Sequence, residues 1–273
     1  MKNRELALDT PIVFIHGTNA GPWTMENFHQ HFEEEGFYCH SPSYRYHEDL
    51  KSEQNQQHLK GLSIADYVDD IRAFVQSLNQ KPVVVGHSLG GVIAQKLATM
   101  DLARAIVLLN GSVNWGILPT TEEERALGKL FMAAGEFWND VLLPDFATMA
   151  KFGLNKLNPD DQHKVFDRLG PESGQVLFEL FFWIFDSNKT TRIDYQKINC
   201  PTLIVSGTDD LAIPPSTAQL IAERQGKNTT FYRAEGYGHY LMLEPKWKRI
   251  AEFCSTWVSQ QFQKTTSTSN KSL

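Results

Sequence analysis

The 273-residue chain has few cysteines, no long apolar run and no block of positive charge. Cys39, Cys200 and Cys254 lie far apart and form neither a CxxC pair nor a Cys/His cluster at metal-ligand spacing, so a disulfide scaffold and a zinc site are both unexpected. No segment approaches the roughly 20 apolar residues of a membrane span, and the first ten residues lack the apolar core of a secretory signal. We therefore predict free thiols, no membrane span and a cytoplasmic location.

Nucleic acids, nucleotides and metals are also unexpected. The 26 basic and 32 acidic residues give a net charge of −6 without a basic block, which argues against a nucleic-acid groove. Neither a G-x-G-x-x-G segment nor a Gly-Lys-Ser/Thr segment is present. His29 and His31 are two residues apart on a predicted helix and so face different sides. Four further histidines lack acidic or cysteine partners at ligand spacing: His40, His47, His58 and His163. We predict a small-molecule substrate, no cofactor and no metal, and make no prediction of oligomeric state.

Short apolar runs alternate with longer amphipathic segments along most of the chain, which is typical of βαβ units. Strands are predicted at residues 11–16, 37–40, 82–85, 105–109, 202–205 and 229–232. The last four lack the alternation of half-exposed strands, so we expect them to be buried on both faces. Helical spacing predicts a helix over residues 64–78, started by a capping box of Ser63 and Asp66. A last helix is predicted from Pro245 to about Phe262.

The alternation breaks once, between residues 112 and 194, where Glu-rich and aromatic helical segments replace strands. We predict a helical cap inserted over residues 112–194, an α/β core formed by residues 1–111 and 195–263, and a disordered polar tail over residues 264–273. Most aromatic residues of the cap are expected to fill its own interior. Trp115, Phe181 and Trp183 are candidates for the lining of an apolar substrate pocket.

The strand predicted at residues 82–85 runs directly into Gly86-His87-Ser88-Leu89-Gly90, and a helical pattern begins at Gly91. A strand, a turn with glycine two residues before and after a serine, and a helix together indicate a nucleophile elbow, where a bulky Cβ does not fit beside the serine. The five-residue pattern alone would occur by chance in roughly one chain in ten of this length. Its strand-to-helix context is what predicts Ser88 as a nucleophile.

A serine hydroxyl needs a base to take its proton, and elbow enzymes carry an acid and then a histidine later in the chain. The strand at residues 202–205 is followed by Gly207-Thr208-Asp209-Asp210, and the strand at residues 229–232 is followed by Gly236-Tyr237-Gly238-His239. Both segments are loops at the carboxyl end of a predicted strand. His239 is the candidate base, and Asp209 and Asp210 are both candidates for the acid.

The chain resembles the α/β-hydrolase family at four places, in the family's order: residues 15–18 (Ile-His-Gly-Thr), 86–91, 207–210 and 238–239. The resemblance implies an α/β-hydrolase fold, which is a mainly parallel sheet flanked by helices, here with the inserted helical cap. Only about ten residues precede the first strand. We therefore expect about six core strands rather than eight, in the order 4-3-5-6-7-8 of the family's usual count.

The resemblance also implies roles for individual residues. Ser88 would be the nucleophile and His239 the general base and acid. The family's Gly-x-x-Asp spacing selects Asp210 to orient the imidazole, with Asp209 as the alternative.

Two backbone N–H groups, those of Thr18 and Leu89, would bind the developing negative charge as an oxyanion hole. His16 and His87 belong to the same motifs, and we expect both to be structural.

Hydrolysis of a hydrophobic or aromatic carboxylic ester through an acyl-enzyme on Ser88 is the function that the resemblance favours. The same residues could instead serve C–C bond hydrolysis, lactone opening, hydroxynitrile cleavage or perhydrolysis, since one fold supports all of these reactions. Serine at position 88 argues against haloalkane dehalogenases and epoxide hydrolases, which are similar proteins with aspartate there. A ligand receptor without turnover is a third reading, disfavoured by the intact set of Ser88, Asp210 and His239.

Overall fold

Six parallel strands form the central sheet of the protein. The computed structural model describes residues 10–133 and 135–269. The strands of this sheet are β1 (Pro11–Ile15), β2 (Tyr38–His40), β3 (Val83–His87), β4 (Ala105–Leu109), β7 (Thr202–Gly207) and β8 (Thr229–Ala234). They are hydrogen-bonded in the order β2-β1-β3-β4-β7-β8. This order is the predicted one, and the prediction of about six core strands is confirmed.

Helices fill the crossovers between parallel strands, as such connections require. Their bounds are α1 (Glu26–Glu34), α2 (Glu53–Leu59), α3 (Ile64–Ser77), α4 (Leu89–Thr99), α5 (Glu122–Ala133), α6 (Phe146–Thr148), α7 (Pro159–Phe166), α8 (Gly174–Phe181), α9 (Pro215–Gln225) and α10 (Trp247–Ser269). Short 3₁₀ turns lie at Pro22–Met25, Phe137–Asn139 and Tyr195–Lys197, and one π-helical turn lies at Met149–Gly153. None of the described helices is both long enough and apolar enough to cross a membrane.

Helix ends agree with the sequence patterns to different degrees. The capping box at the start of α3 is present, with the Asp66 carboxylate accepting from the Ser63 N–H at 2.9 Å. The last helix differs: Pro245 lies in a turn, and α10 begins at Trp247 and continues to Ser269, beyond the predicted end at Phe262. Residues 270–273 of the tail that we predicted to be disordered lie outside the described residues.

Two apolar layers cover the two faces of the sheet. On one face, residues such as Val13, Val84 and Ile106 pack against helices α3, α4 and α9. On the other face, Phe14 and Val85 belong to a cluster that includes residues of α1 and α10. Strands β3, β4 and β7 are buried throughout, as predicted, and β1 is buried as well. The prediction is wrong for β8, because β8 is an edge strand and Ala234 is its one buried residue.

The segment between β4 and β7 carries α5 to α8 and a second, two-stranded sheet. This sheet pairs β5 (Val141–Leu142) with β6 (Glu172–Ser173) in antiparallel fashion. The aromatic helical pattern did not predict these strands, because two-residue strands are too short to produce an alternating pattern. We call the whole segment, residues 110–201, the β4–β7 insertion.

Candidate active site

Ser88 lies in a strained turn between β3 and α4. Its backbone has φ 51° and ψ −118°, a region that a residue with a Cβ rarely adopts. A Cβ on Gly86 would overlap the carbonyl oxygen of Gly90, and a Cβ on Gly90 would overlap the carbonyl oxygen of Ile15. The close approach of these backbone segments explains why glycine stands on both sides of the serine. Ser88 is thereby held above the end of the strand.

His239 and Asp210 form a buried acid–base pair. The imidazole Nδ1 lies 2.8 Å from Asp210 Oδ2, and the other carboxylate oxygen accepts from the N–H groups of Ala212 at 2.8 Å and Ile213 at 2.9 Å. Both carboxylate oxygens of Asp210 are therefore hydrogen-bond acceptors. An ionised Asp210 can only accept, so Nδ1 of His239 carries the proton and its Nε2 is free to accept one.

Asp209 faces away from the imidazole. Its carboxylate forms an ion pair with Lys156 Nζ at 2.6 Å and accepts from the hydroxyl of Thr208 at 3.2 Å. The hydrogen bond from Lys156 lowers the pKa of Asp209. Of the two adjacent aspartates that the sequence left open, Asp210 is the one that contacts His239.

Ser88 and His239 line the same cavity, which has a volume of about 80 Å³. Thr18 also lies in its wall, and Leu89 follows the serine as the first residue of α4, where backbone N–H groups have no acceptor within the helix. Apolar walls are contributed largely by the β4–β7 insertion, including Leu127, Phe131, Phe152 and Leu177.

The three aromatic residues predicted to line a substrate pocket lie in different places. Phe181 lines the cavity of Ser88. Trp183 lines an adjoining cavity of about 270 Å³ that shares Phe181 with the first. Trp115 is absent from both linings; its ring packs against that of Trp183, with centroids 5.8 Å apart, and under the ammonium group of Lys189.

Ser112 is a neighbour of Ser88 that the sequence analysis did not identify. Its hydroxyl forms a hydrogen bond with Ser88 Oγ at 3.1 Å, and its N–H donates to the Ser88 carbonyl at 2.9 Å. Ser112 follows the end of β4, the strand beside β3. The sequence could have indicated Ser112 only by its position, directly after the strand that neighbours β3, because no local motif surrounds it.

Asn110 connects the two loops that carry the acid and the base. Its amide donates to the carbonyl oxygens of Gly238 at 2.7 Å and His239 at 2.8 Å, while its own oxygen accepts from the Gly207 N–H at 2.8 Å. The side chain is fully buried. A buried amide with three partners fixes the distance between the segments that it joins, so Asn110 is a positioning residue for the His239–Asp210 pair.

We expect Asn110→Ala to lower kcat by about 100-fold with a smaller change in KM, since a displacement near 1 Å of a reacting group can have that effect. Asn114→Ala is the matched control, because Asn114 is equally buried but donates to Gln95 and Tyr195, outside the loops of Asp210 and His239. Steady-state kinetics of both variants, below their melting temperatures, check the prediction. Equal losses of kcat in the two variants would contradict a specific role of Asn110.

The histidines of the two glycine motifs are buried and neutral. Burial lowers the pKa of His87 well below its usual range, and its Nε2 donates to the His239 carbonyl at 3.0 Å. Burial and the nearby His47 lower the pKa of His16 to about 3, and its Nδ1 lies 2.8 Å from the Gly17 carbonyl. Both contacts hold backbone in place, which agrees with a structural role.

A buried carboxylate of the β4–β7 insertion holds the loop after Thr18. Glu172 accepts from Tyr67 OH at 2.7 Å, His47 Nε2 at 3.3 Å, and the N–H groups of Asn19 at 3.2 Å and Ser173 at 2.9 Å. Burial lowers the pKa of His47, but the charge and hydrogen bond of Glu172 outweigh it and raise that pKa. Burial raises the pKa of Glu172, but His47, Tyr67 and Ser173 together lower it. The two groups therefore form a buried ion pair.

Glu172→Gln is expected to reduce the free energy of unfolding by about 3 to 5 kcal/mol, because it leaves His47 buried without its charged partner. The contribution of His47 is complete below its ordinary pKa of 6.5 and is lost as pH rises through the raised folded value. That of Glu172 is complete above 4.5 and is lost as pH falls through the lowered folded value.

Denaturant unfolding of wild type and Glu172→Gln from pH 3 to 10 therefore checks two features. The first is the loss of unfolding free energy in the variant, and the second is that this loss is largest between about pH 4.5 and 6.5. Asp161→Asn is the control, because Asp161 is an exposed carboxylate paired with Lys164. A loss in Glu172→Gln that does not change with pH would contradict the ion pair.

Comparison with known proteins agrees with this architecture. The model of the Alpha/beta hydrolase family matches residues 12–253, and the chain therefore belongs to that family. No curated protein matches the chain in sequence.

Solved structures show the same fold at low sequence identity. The monoacylglycerol lipase of Paleococcus ferrophilus is 19% identical, with a TM-score of 0.67 over 92% of this chain and 94% of the lipase. The methylesterase MES16 from Arabidopsis is 15% identical, with a TM-score of 0.69 over 92% of this chain and 99% of the esterase. A variant of tomato methylketone synthase I, complexed with beta-ketoheptanoate, is 14% identical, with a TM-score of 0.70 over 93% and 98%.

Proposed function

We propose that this protein is a serine hydrolase that cleaves carboxylic esters through an acyl-enzyme on Ser88. One observation carries the proposal: a serine at a strained elbow shares a cavity with an imidazole whose Nδ1 is bonded to a buried carboxylate, Asp210. This arrangement leaves Nε2 of His239 as the proton acceptor that a serine nucleophile needs. Solved structures of the same fold that are named as a lipase and a methylesterase support the same class of reaction.

Each step of the proposed reaction uses groups of this chain. Ser88 Oγ bonds to the ester carbonyl carbon as its proton passes to His239 Nε2, and the carbonyl π electrons move to the oxygen. The N–H groups of Thr18 and Leu89 would stabilise that oxyanion, each contributing about 3 kcal/mol in the transition state. The C–O bond then breaks, and the leaving alcohol takes the proton from Nε2. Water, deprotonated by His239, hydrolyses the acyl-enzyme and restores the Ser88 hydroxyl.

Ser112 has a place in this sequence of events. Its hydroxyl forms a hydrogen bond with Ser88 Oγ at 3.1 Å, in which either atom can be the donor. When Ser112 donates, the Ser88 proton stays available for transfer to His239 Nε2. Catalytic hydrogen bonds commonly tighten only in the complex with substrate.

The cavity favours neutral, apolar esters. Its walls are mostly aromatic and aliphatic side chains, and no aspartate, glutamate, lysine or arginine of the described residues lies among them. Burial of a charged substrate group without a partner would cost several kcal/mol.

Hydrolysis of neutral p-nitrophenyl esters by the purified protein tests the proposal. We expect turnover that a fluorophosphonate abolishes with one equivalent bound per chain. A purified, folded protein that hydrolyses no ester in a panel of acetate, butanoate, octanoate and benzoate esters, and that does not react with the fluorophosphonate, would overturn the proposal.

A reducing, cytoplasmic setting is also proposed, on the state of the thiols. The three cysteines are unpaired, and burial raises the pKa of Cys39 to about 12 and that of Cys200 to about 11. Protonated, unpaired thiols are typical of intracellular proteins.

A further inference from the structure

A second compartment adjoins the cavity of Ser88. It has a volume of about 170 Å³. Five residues line both spaces: Asn19, Phe131, Thr148, Met149 and Leu177. Because the two spaces share this much wall, the compartment is a continuation of the catalytic cavity past Asn19.

The rest of the compartment is lined mainly by aliphatic groups of the β4–β7 insertion. Leu130, Leu142, Leu143 and Pro144 contribute carbon surface. The carboxylate of Asp145 also lies in the wall, and it accepts from the N–H and the hydroxyl of Thr148, each at 2.8 Å. An anion in the wall disfavours a negatively charged occupant, so the compartment fits a neutral hydrocarbon group.

The exposed leucines of this region have an explanation in the compartment. Leu143 is 72% exposed and Leu130 is 49% exposed, although both are large apolar side chains. Both lie in its wall, so a chain that filled the compartment would cover surface that is otherwise left in water. Each CH₂ group transferred from water into such a site favours binding by up to about fourfold, at about 0.8 kcal/mol per group.

The position of the compartment relative to His239 indicates whether it holds the acyl group or the alcohol group of an ester. The leaving oxygen must lie beside His239, because it takes its proton from Nε2. The 270 Å³ cavity adjoins a different part of the catalytic cavity. It shares Ala212 and Ile213 with it, the residues whose N–H groups donate to Asp210. The compartment past Asn19 has none of these residues in its wall. It therefore extends from the carbonyl carbon on the side away from the leaving group.

The size of the catalytic cavity supports the same conclusion. At about 80 Å³, it is smaller than the roughly 300 Å³ at the lower end of ordinary ligand sites. It can hold the reacting carbonyl and a short group, so a longer acyl chain must pass Asn19 into the neighbouring space.

From these observations we propose that the compartment past Asn19 binds the acyl chain, and that the substrate is an ester of a medium-length aliphatic acid. The inference rests on the proposed ester hydrolysis at Ser88. It adds that the acyl chain is the part of the ester that determines the specificity of the enzyme.

Two ester series test the proposal with the same enzyme. In p-nitrophenyl esters from acetate to octanoate, kcat/KM should rise by up to about fourfold per CH₂ until the compartment is filled. In acetates of alcohols of increasing chain length, kcat/KM should change much less. A rise that follows the alcohol chain, or no dependence on either chain, would overturn the assignment of the acyl site.

Substitutions locate the effect. Leu143→Lys should lower kcat/KM for octanoate at least fivefold and leave acetate unchanged, because it places a charge at the wall of the compartment. Leu118→Lys is the matched control, since Leu118 is similarly exposed at 62% but is absent from the lining. Thr148→Phe should narrow the shared wall and lower octanoate hydrolysis more than tenfold, with a smaller loss of acetate hydrolysis because Thr148 also lines the catalytic cavity.

The exposed position of Leu143 makes its variant safe for folding, so the test stands even if Thr148→Phe does not fold. Equal octanoate kinetics in Leu143→Lys and wild type would overturn the proposal. If the wild-type protein hydrolysed no ester at all, the result would instead contradict the proposed function, because an acetate ester requires only the catalytic cavity.

Discussion

Ser88→Ala is expected to lower kcat/KM for ester hydrolysis on the order of a millionfold, as removal of the nucleophile does in other serine hydrolases. The substitution removes only the hydroxyl. Alanine has the same Cβ as serine, so the backbone strain at φ 51° is unchanged and the fold should be retained.

Ser112→Ala is the matched control for this prediction. Ser112 shares a hydrogen bond with Ser88 and lines the same cavity, yet the proposed reaction gives it no covalent role. We expect a change within about tenfold, since one neutral hydrogen bond contributes about 1 kcal/mol. Activity in Ser88→Ala above a thousandth of the wild-type value, measured with freshly purified protein, would contradict the assignment of the nucleophile.

Asp210→Asn is the second substitution with a very large expected effect, about 10,000-fold in kcat. The N–H groups of Ala212 and Ile213 both donate to one carboxylate oxygen, so the new amide keeps its oxygen there. Its NH₂ group then faces Nδ1 of His239, 2.8 Å from the present carboxylate oxygen. An NH₂ donor requires Nδ1 to accept, which moves the imidazole proton to Nε2 and blocks proton transfer from Ser88.

Asp209→Asn is the control, at the adjacent position and with the same change of charge. Asp209 pairs with Lys156 rather than with His239, and we expect a change of less than about tenfold, because a partly exposed ion pair contributes little. Kinetics of the two variants at pH 7 and 8 give the comparison. Similar losses in both would indicate a general electrostatic effect and contradict the specific pairing of Asp210 with the imidazole.

The sequence predicted the sheet and the elbow because both depend on local patterns. Buried apolar runs identify central strands, and the glycines around Ser88 report backbone contacts that any residue with a Cβ would disrupt. Burial of β8 was wrongly predicted because its composition is that of a buried strand, whereas its place at the edge depends on the order of the whole sheet.

The parts of the site that sequence analysis missed are contacts between distant segments. Asn110 reaches residues more than 90 positions away, and Glu172 binds residues of the first 70. No motif surrounds either residue, because their partners come together only when the strands and the β4–β7 insertion are assembled. Trp115 shows the converse limit, since aromatic character alone does not tell a packing residue from a pocket residue.

The β4–β7 insertion has two roles in this account. Through Glu172 it holds the loop that follows Thr18, because the Asn19 N–H donates a hydrogen bond to the Glu172 carboxylate at 3.2 Å. Through Phe131 and Leu177 it forms the walls of the catalytic cavity and of the compartment beside it. Apart from Asn110 and Ser112 at its start, sequence changes in this segment are therefore expected to alter substrate preference and stability more than the chemistry at Ser88.

Mass spectrometry of the acyl-enzyme tests the central claim most directly. The protein is mixed with excess p-nitrophenyl octanoate, quenched in acid within the first turnover, digested and mapped. We expect a mass increase of one octanoyl group on the peptide that contains Ser88. This increase should be absent from Ser88→Ala and present in Ser112→Ala. Ester turnover with no acyl adduct at any time point, or an adduct on Ser112 in place of Ser88, would contradict it.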